Sequence, residues 1–457
     1  MEYNQSLLHD PVPKALTRFA IPLLLANLLQ ILYSSVDMWI VGHFASTADV
    51  SAVSTASMLT FVITITIAGF ATGLTVTVGQ FAGAQRHRDI SRVMGAAIFL
   101  FAVIAVAVTL PLLIFCRPIV GLLNAPAGAV DQTFSYLFIC SCGVVFIVGY
   151  NVLTGLLRGL GDSRAPLLCV AVSSVINIIA DYVLVKILGM GAAGAALATV
   201  GSQAVSFLTA LIYLMAKRPV RLYREDVRPS GAFIRQITKI GAPIALQEFL
   251  VNLSFVLITR VINAFGMEAS AAGGIAEKII NIAVMPTVAF SASVSTLAAQ
   301  NIGAKQPKRA RQGMWTGICI CLVLTTVFAV YSFFRGETLI SIFSKDAQVV
   351  EQGRRYLKFY AFDQMMLSFV FIMNGYFNAC GHSVFTMVHS LITTFGLRVP
   401  MTILLGRMPW ATMMHIGIPA PVSSFVSIVI CVVFLTRLRK KEPDGPRLPD
   451  STPENNI

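Results

Sequence analysis

Charge is what this chain has least of. Asp, Glu, Lys and Arg make up 12% of its 457 residues while 56% are hydrophobic, against about 25% charged residues in an ordinary soluble domain. So little charge cannot keep a chain of this size dispersed in water, which excludes a soluble globular protein and leaves lipid as the solvent. Catalytic motifs are lacking too. There is no H-E-x-x-H, no G-x-x-x-x-G-K-[ST] and no G-x-S-x-G, so metalloprotease chemistry, phosphate-loop nucleotide hydrolysis and serine acyl transfer all lose the residues they require. The chain reads as no enzyme, and no cofactor is expected. Eight cysteines show no metal or redox spacing. Cys116, Cys140, Cys142, Cys169, Cys319, Cys321 and Cys431 fall within or at the ends of apolar stretches and Cys380 in a short loop, the placement of small apolar filler. A cleavable leader is not expected either, because the first apolar stretch is long, contains Asp37 and is followed by others like it.

What is present, repeatedly, is the apolar stretch of about 20 residues that a bilayer-crossing helix needs. Twelve are expected, at 16–40, 50–82, 92–116, 133–157, 166–189, 191–216, 237–262, 269–301, 312–333, 356–379, 383–405 and 411–436. The fold class is therefore an all-α integral membrane protein. A net charge of +13 raises the question of nucleic acid, and the placement of the basic residues answers it. With a cytoplasmic N-terminus, 23 of the 34 Lys and Arg fall on the cytoplasmic side, including Arg86, Arg88, Arg92, the run from Lys217 to Lys239, Lys305 to Arg311, and the tail after Arg437. This satisfies the positive-inside rule with both termini in the cytoplasm of an inner-membrane protein. Nucleic acid is not an expected partner; the lipid bilayer is.

The chain repeats itself. Gln80 matches Gln300, Gly83 Gly303, Tyr136 Tyr356, Gly155 Gly375 and Gly161 Gly381, all at an offset of 220 residues, while Pro22 and Pro243 differ from it by one. Each half holds six spans, and an even number returns the chain to its starting side, so the halves share one orientation about an axis along the membrane normal. The expected division is an N-terminal six-helix lobe at 1–216, a cytoplasmic connector at 217–236, a C-terminal lobe at 237–436 and a disordered tail at 437–457. Gly189 to Gly194 reads GMGAAG, which fits G-x-G-x-x-G, but without a preceding strand close helix packing explains it. Gly69/Gly73 and Gly79/Gly83, echoed as Ala289/Ser293 and Ala299/Gly303, are small-residue pairs suited to close helix contact.

A carboxylate near the bilayer centre costs roughly 2.5–3.5 kcal/mol, so each one inside a span requires a reason. Asp37, Asp181, Glu248 and Asp363 stand out. Asp37 lies near the outer end of the first span, Asp181 about 12 Å from the outer end of the fifth, and Thr199 at similar depth on the sixth. Asn177 and Asp181, spaced i, i+4, share a helix face. These four groups offer oxygen ligands and an amide, which suit a proton or a hard cation such as Na⁺. Under the repeat Asp37 faces an apolar residue near Ile258 and Asp181 corresponds to Met401, so the ionisable groups are not duplicated, as one ion-carrying lobe would require. The competing reading, a satisfied structural polar group, weighs more heavily on Glu248 and Asp363. Glu277 is followed by Lys278, which suggests local compensation, and His389 and His415 read as core residues. Seventeen Met and thirty Phe would line an adaptable apolar pocket, although most such residues in a membrane protein face lipid or pack.

With IPLLLANLLQILYSSVDMWIVGHF, GQFAGAQ, LTGLLRGLGDSRAP and NIIADYVLV in place across residues 14–436, the chain resembles the multidrug and toxic compound extrusion (MATE) family. The resemblance implies a V-shaped pair of six-helix bundles that exports amphipathic, often cationic molecules against H⁺ or Na⁺, functioning as a monomer. The acids of the first and fifth spans resemble the coupling site of the DinF-like branch, so Asp37, Asn177, Asp181 and Thr199 would inherit it. Glu248 and Asp363 resemble, approximately, the working acids other branches carry in the C-terminal lobe. A flippase of lipid-linked oligosaccharide from the related superfamily is the alternative; such carriers usually add helices or a strongly cationic cavity. A channel or membrane enzyme lacks any filter-like loop or catalytic cluster here.

Overall fold

The computed structural model describes residues 5–123, 125–218, 224–227 and 230–441. Among them every regular element is helical and there is no strand. The long helices are α1 (Val12–Phe44), α2 (Thr47–Gly83), α3 (His87–Ile114), α4 (Val130–Cys142), α5 (Val144–Gly159), α6 (Arg164–Asp181) and α7 (Gly191–Lys217) in the first half. The second half holds α8 (Gly231–Asn263), α9 (Met267–Gly303), α10 (Pro307–Ser341), α11 (Ala347–Ala379), α12 (Ser383–Thr393), α13 (Val399–Gly406) and α14 (Pro419–Lys441).

Among the described residues ten helices are long and apolar enough to cross a bilayer, and eleven if Ala127–Cys142 and Val144–Gly159, bent by 40°, form one span. The chain is thus a multi-pass membrane protein. The expected span at 356–379 lies on α11, which at 33 residues is long enough but interrupts its apolar residues with Asp363, Gln364, Asn374 and Asn378. Helix α14 runs on to Lys441; the prolines of the expected tail, Pro443 onwards, lie outside the described residues, as do 219–223 and 228–229 of the expected connector.

Contacts divide the chain into two compact units, one of Ile21–Ala245 and one of Leu7–Ala20 together with the described residues from Leu246 on. Helices α1 and α8 each begin in one unit and end in the other, and each carries an internal proline near the change, Pro22 and Pro243. Proline removes an intrahelical hydrogen bond, which makes these the positions where a long helix most easily bends. In the first unit, Phe233 of α8 meets Phe81 of α2 edge-on at 5.7 Å between ring centroids. In the second, Asn301 Nδ2 donates to Leu7 O at 3.1 Å and Arg309 donates to the carbonyls of Leu7 and Asp10.

The helices touch where their sequences are small. A Cβ added at Gly375 would stand 2.6 Å from Ser291 O, so α11 approaches the backbone of α9 as only glycine allows, and Ser291 Oγ donates to Phe371 O at 2.7 Å across the same seam. The repeat partner Gly155 faces Ala71 and Thr75, with Thr75 Oγ1 donating to Gly155 O at 3.0 Å. Without a hydrophobic drive between helices in lipid, such close packing and interhelical hydrogen bonds hold the bundles together.

The turn between α1 and α2 is short because Ser46 caps α2. Ser46 Oγ accepts from Asp49 N at 3.2 Å and Asp49 Oδ2 accepts from Ser46 N at 3.1 Å, a capping box. The other Asp49 oxygen accepts from Ala192 N at 2.9 Å, at the start of α7. Gly191, at φ +53°, has the carboxylate of Asp49 2.5 Å from its Cβ position. Gly191 of GMGAAG therefore serves this junction, while Gly194 packs against Leu184 and Met190.

Candidate functional site

In the first unit, α1 presents Asp37 and α6 ends on Asp181, where the backbone widens into a π-helical turn, Tyr182–Ile187. Such turns insert an extra residue and occur frequently at functional positions. The side chains of Asp37 and Asp181 lie against one another. Asp181 is fully buried, and neither of its oxygens, nor Asp37 Oδ1, has a hydrogen-bond partner among the described residues. Two ionised carboxylates can only accept hydrogen bonds, so this pair is satisfied by a proton held between them or by a small cation. Buried polar groups are almost always hydrogen-bonded, and an exception requires such an account.

One face of α6 continues the polar environment. Ser174, Asn177 and Asp181 fall at intervals of three and four residues, one stripe of a helix, and Ser174 Oγ and both amide atoms of Asn177 are likewise buried without partners among the described residues. Thr199 of α7 reaches the site through Tyr136 of α4, which lies against Thr199 and Cys140 and within charge range of Asp37. Cys140 in turn lies against Thr60 of α2, and Tyr33 precedes Asp37 by one turn of α1. Tyr136, Cys140, Thr60 and Tyr33 were not among the sequence-derived candidates. Tyr136 had a signal, since it is a fixed point of the repeat; Cys140, read as filler, had none.

Among the described residues no three His, Cys, Asp or Glu side chains converge. The groups at and around the pair are carboxylates, hydroxyls and an amide, a set whose chemistry suits a proton or hard cation better than a transition metal.

The second unit gathers a different set. Asp363 of α11 is buried, and Ser424 Oγ of α14 donates to its Oδ1 at 2.5 Å. Arg398 closes a second π-helical turn, Thr394–Arg398, between α12 and α13, and its Nη2 donates to Tyr360 Oη at 2.9 Å. Gln364, beside Asp363 in sequence, is buried with neither amide atom partnered among the described residues. Glu248 of α8 joins neither cluster and has no charged neighbour among the described residues. Lys278 does not form an ion pair with Glu277 among the described residues; consecutive helical residues do not face each other, and the electrostatic neighbour of Glu277 is Arg398. His389 is buried, its Nε2 3.3 Å from Cys431 Sγ and its Nδ1 3.1 Å from Phe385 O, while His415 Nδ1 accepts from Thr412 N at 3.1 Å. Both histidines are structural.

Two of the six candidate residues are thus brought into direct contact, Asp37 and Asp181. Thr199 is joined to them through Tyr136, Asn177 through its helix, and Asp363 and Glu248 stand in the other unit.

Comparison with known proteins adds to this geometry. The MatE family model matches residues 22–183 and 243–404, once in each half. The chain is 28% identical over 430 residues to the probable multidrug resistance protein YpnP of Bacillus subtilis, covering 93% of this chain and 94% of that one. It is 26% identical over 439 residues to the probable multidrug resistance protein YoeA of the same organism, covering 94% of each. Among solved structures, an outward-facing multidrug resistance MATE family transporter of the MOP superfamily superposes with a TM-score of 0.90 at 20% identity, over 96% of this chain and 99% of that chain.

Proposed function

This chain belongs to the MatE family of transporters, and from that premise we propose that it is an inner-membrane secondary antiporter that exports amphipathic, often cationic organic molecules in exchange for H⁺ or Na⁺. The observation that carries the reading is the Asp37–Asp181 pair, two acids in contact, of which three oxygens are buried without a donor among the described residues. Placed within hydrocarbon, two negative charges cannot persist side by side, so the pair takes up a proton or Na⁺ from the outer face or holds an organic cation. The cation bound from outside neutralises the site, weakens its attraction for the substrate and favours release outward. Coupling arises because each ligand binds the inward- and outward-open arrangements with different affinity. Alternating access of the two lobes supplies those arrangements.

Within this scheme Asn177 and Thr199 complete the coordination of the ion, Tyr136 links Thr199 to the acids, and Glu248 and Asp363 contribute to substrate binding or coupling in the C-terminal lobe. Both termini lie in the cytoplasm and one copy suffices, since every group of the acid pair comes from one unit of one chain.

The test is export of a fluorescent organic cation from proteoliposomes with a pH gradient or a Na⁺ gradient imposed separately. Wild-type protein is expected to respond to one of the two. Asp37→Asn and Asp181→Asn, at matched insertion, are expected to lower gradient-driven export at least about tenfold, the loss of roughly 1.4 kcal/mol of differential binding. Export at the wild-type rate by either variant removes the pair from the mechanism.

A further inference from the structure

The repeat pairs Tyr136 with Tyr356, and each tyrosine stands beside the charged cluster of its own unit. Tyr136 neighbours Asp37; Tyr356 neighbours Arg398 and lies 5.5 Å, centroid to centroid, from the ring of Tyr360. Equivalent places therefore differ in charge. The first unit sets two acids against each other with no basic side chain among their neighbours. The second sets a guanidinium among aromatic rings and acids.

The guanidinium carbon of Arg398 lies 4.8 Å from the ring centroid of Phe255 and 5.8 Å from that of Tyr360, while Nη2 donates to Tyr360 Oη at 2.9 Å. Asp363 and Glu277 are its acidic neighbours, yet neither closes an ion pair with it among the described residues. Arg398 and Phe255 are half-buried and Glu277 is exposed, so the cluster is not sealed. Aromatic faces flanked by carboxylates are what an organic cation requires of a protein, and here an arginine already rests on them. The π-helical turn that carries Arg398 is a local irregularity of the kind frequent at functional positions.

We propose that Arg398 is a tethered stand-in for the cationic substrate: a planar organic cation binds the second unit by displacing the guanidinium from Phe255 and Tyr360, between Glu277 and Asp363. Two cations cannot share the aromatic faces, so Arg398 competes with every cation that enters. The competition weakens cation binding and thereby eases release, and a neutral molecule escapes it. This inference rests on the reading of the protein as an exporter of organic cations.

The experiment uses the full chain in lipid nanodiscs with ethidium as the probe, read by fluorescence polarisation. Arg398→Met is expected to bind ethidium at least about fivefold more tightly than wild type, Arg398→Lys to stay within about twofold, and Asp363→Asn added to Arg398→Met to cancel the gain. Equal or weaker binding by a folded Arg398→Met overturns the proposal. Should that variant fail to fold by size-exclusion chromatography, Arg398→Gln, which likewise removes the competing charge, is expected to give the same gain of about fivefold, and equal or weaker binding overturns the proposal equally. If wild type neither binds nor exports ethidium under either gradient, the organic-cation reading falls and takes this inference with it. If wild type does both while Arg398→Met binds as wild type, only the role of Arg398 is lost.

Discussion

A buried carboxylate is defined by what surrounds it, and the acids of this chain divide accordingly. Asp181 finds another acid; Asp363 finds a serine hydroxyl and, farther off, an arginine; Asp49 finds a cap and a backbone amide. Of these three, only the first leaves charge without a compensating group among the described residues, which is what the proposed ion coupling draws on. Glu351, in the opening turns of α11 and outside the expected span, shows the opposite extreme. It accepts from Arg354 Nε at 2.8 Å and from Arg355 Nε at 2.6 Å, and these guanidinium hydrogen bonds lower its pKa to about 2. Because the folded value lies below that of the unfolded chain, about 4.3 for glutamate, the contribution to stability is complete above that value and disappears as pH falls towards 2. Glu351→Gln is therefore expected to lower the thermal midpoint at pH 7, with the gap to wild type narrowing below pH 4.5. The exposed setting keeps the effect under about 1 kcal/mol, measured by tryptophan fluorescence melting in detergent.

At the scale of helices, the seams between α2 and α5 and between α9 and α11 carry the packing. Gly375→Val would place its Cβ against Ser291 O, 2.6 Å away. Backbone yields less readily than a side-chain tip, so this overpacking is expected to cost about 1–3 kcal/mol or more, seen as a lower thermal midpoint or reduced membrane yield, whereas Gly375→Ala should lie between. A Gly375→Val protein as stable as wild type would mean that α9 and α11 are not held at that distance. The two π-helical turns mark helices that depart from regularity, one directly after Asp181 and one ending at Arg398. Each thus adjoins the charged side chain that distinguishes its unit.

For the whole molecule, an even number of spans per repeat places equivalent loops on the same face. Single cysteines at Ala45 and Phe265, introduced into a cysteine-free background, are expected to react with an impermeant maleimide from one side of the membrane, and those at Gln85 and Lys305 from the other. Labelling of Ala45 and Phe265 from opposite sides would mean inverted halves and would remove the basis for equating Tyr136 with Tyr356. The exchange of helix beginnings, Leu7–Ala20 to the second unit and Gly231–Ala245 to the first, means that the chain passes twice between units inside a helix.

Composition, the run of apolar stretches and the 220-residue offset were sufficient to read the fold class, the repeat and the family from the amino-acid order, because lipid imposes helices of known length and a duplicated chain keeps its glycines and prolines. Asp37 and Asp181 stood out for the same reason: an acid within an apolar stretch is visible wherever it folds. Which acids meet was decided by tertiary structure alone. Asp37 and Asp181 are 144 residues apart, and nothing local distinguishes their pairing from one with Asp363. Tyr136 and Arg398 meet their partners only when α4 reaches α7 and when a widened turn carries a guanidinium onto Phe255, contacts between distant segments that no periodicity records.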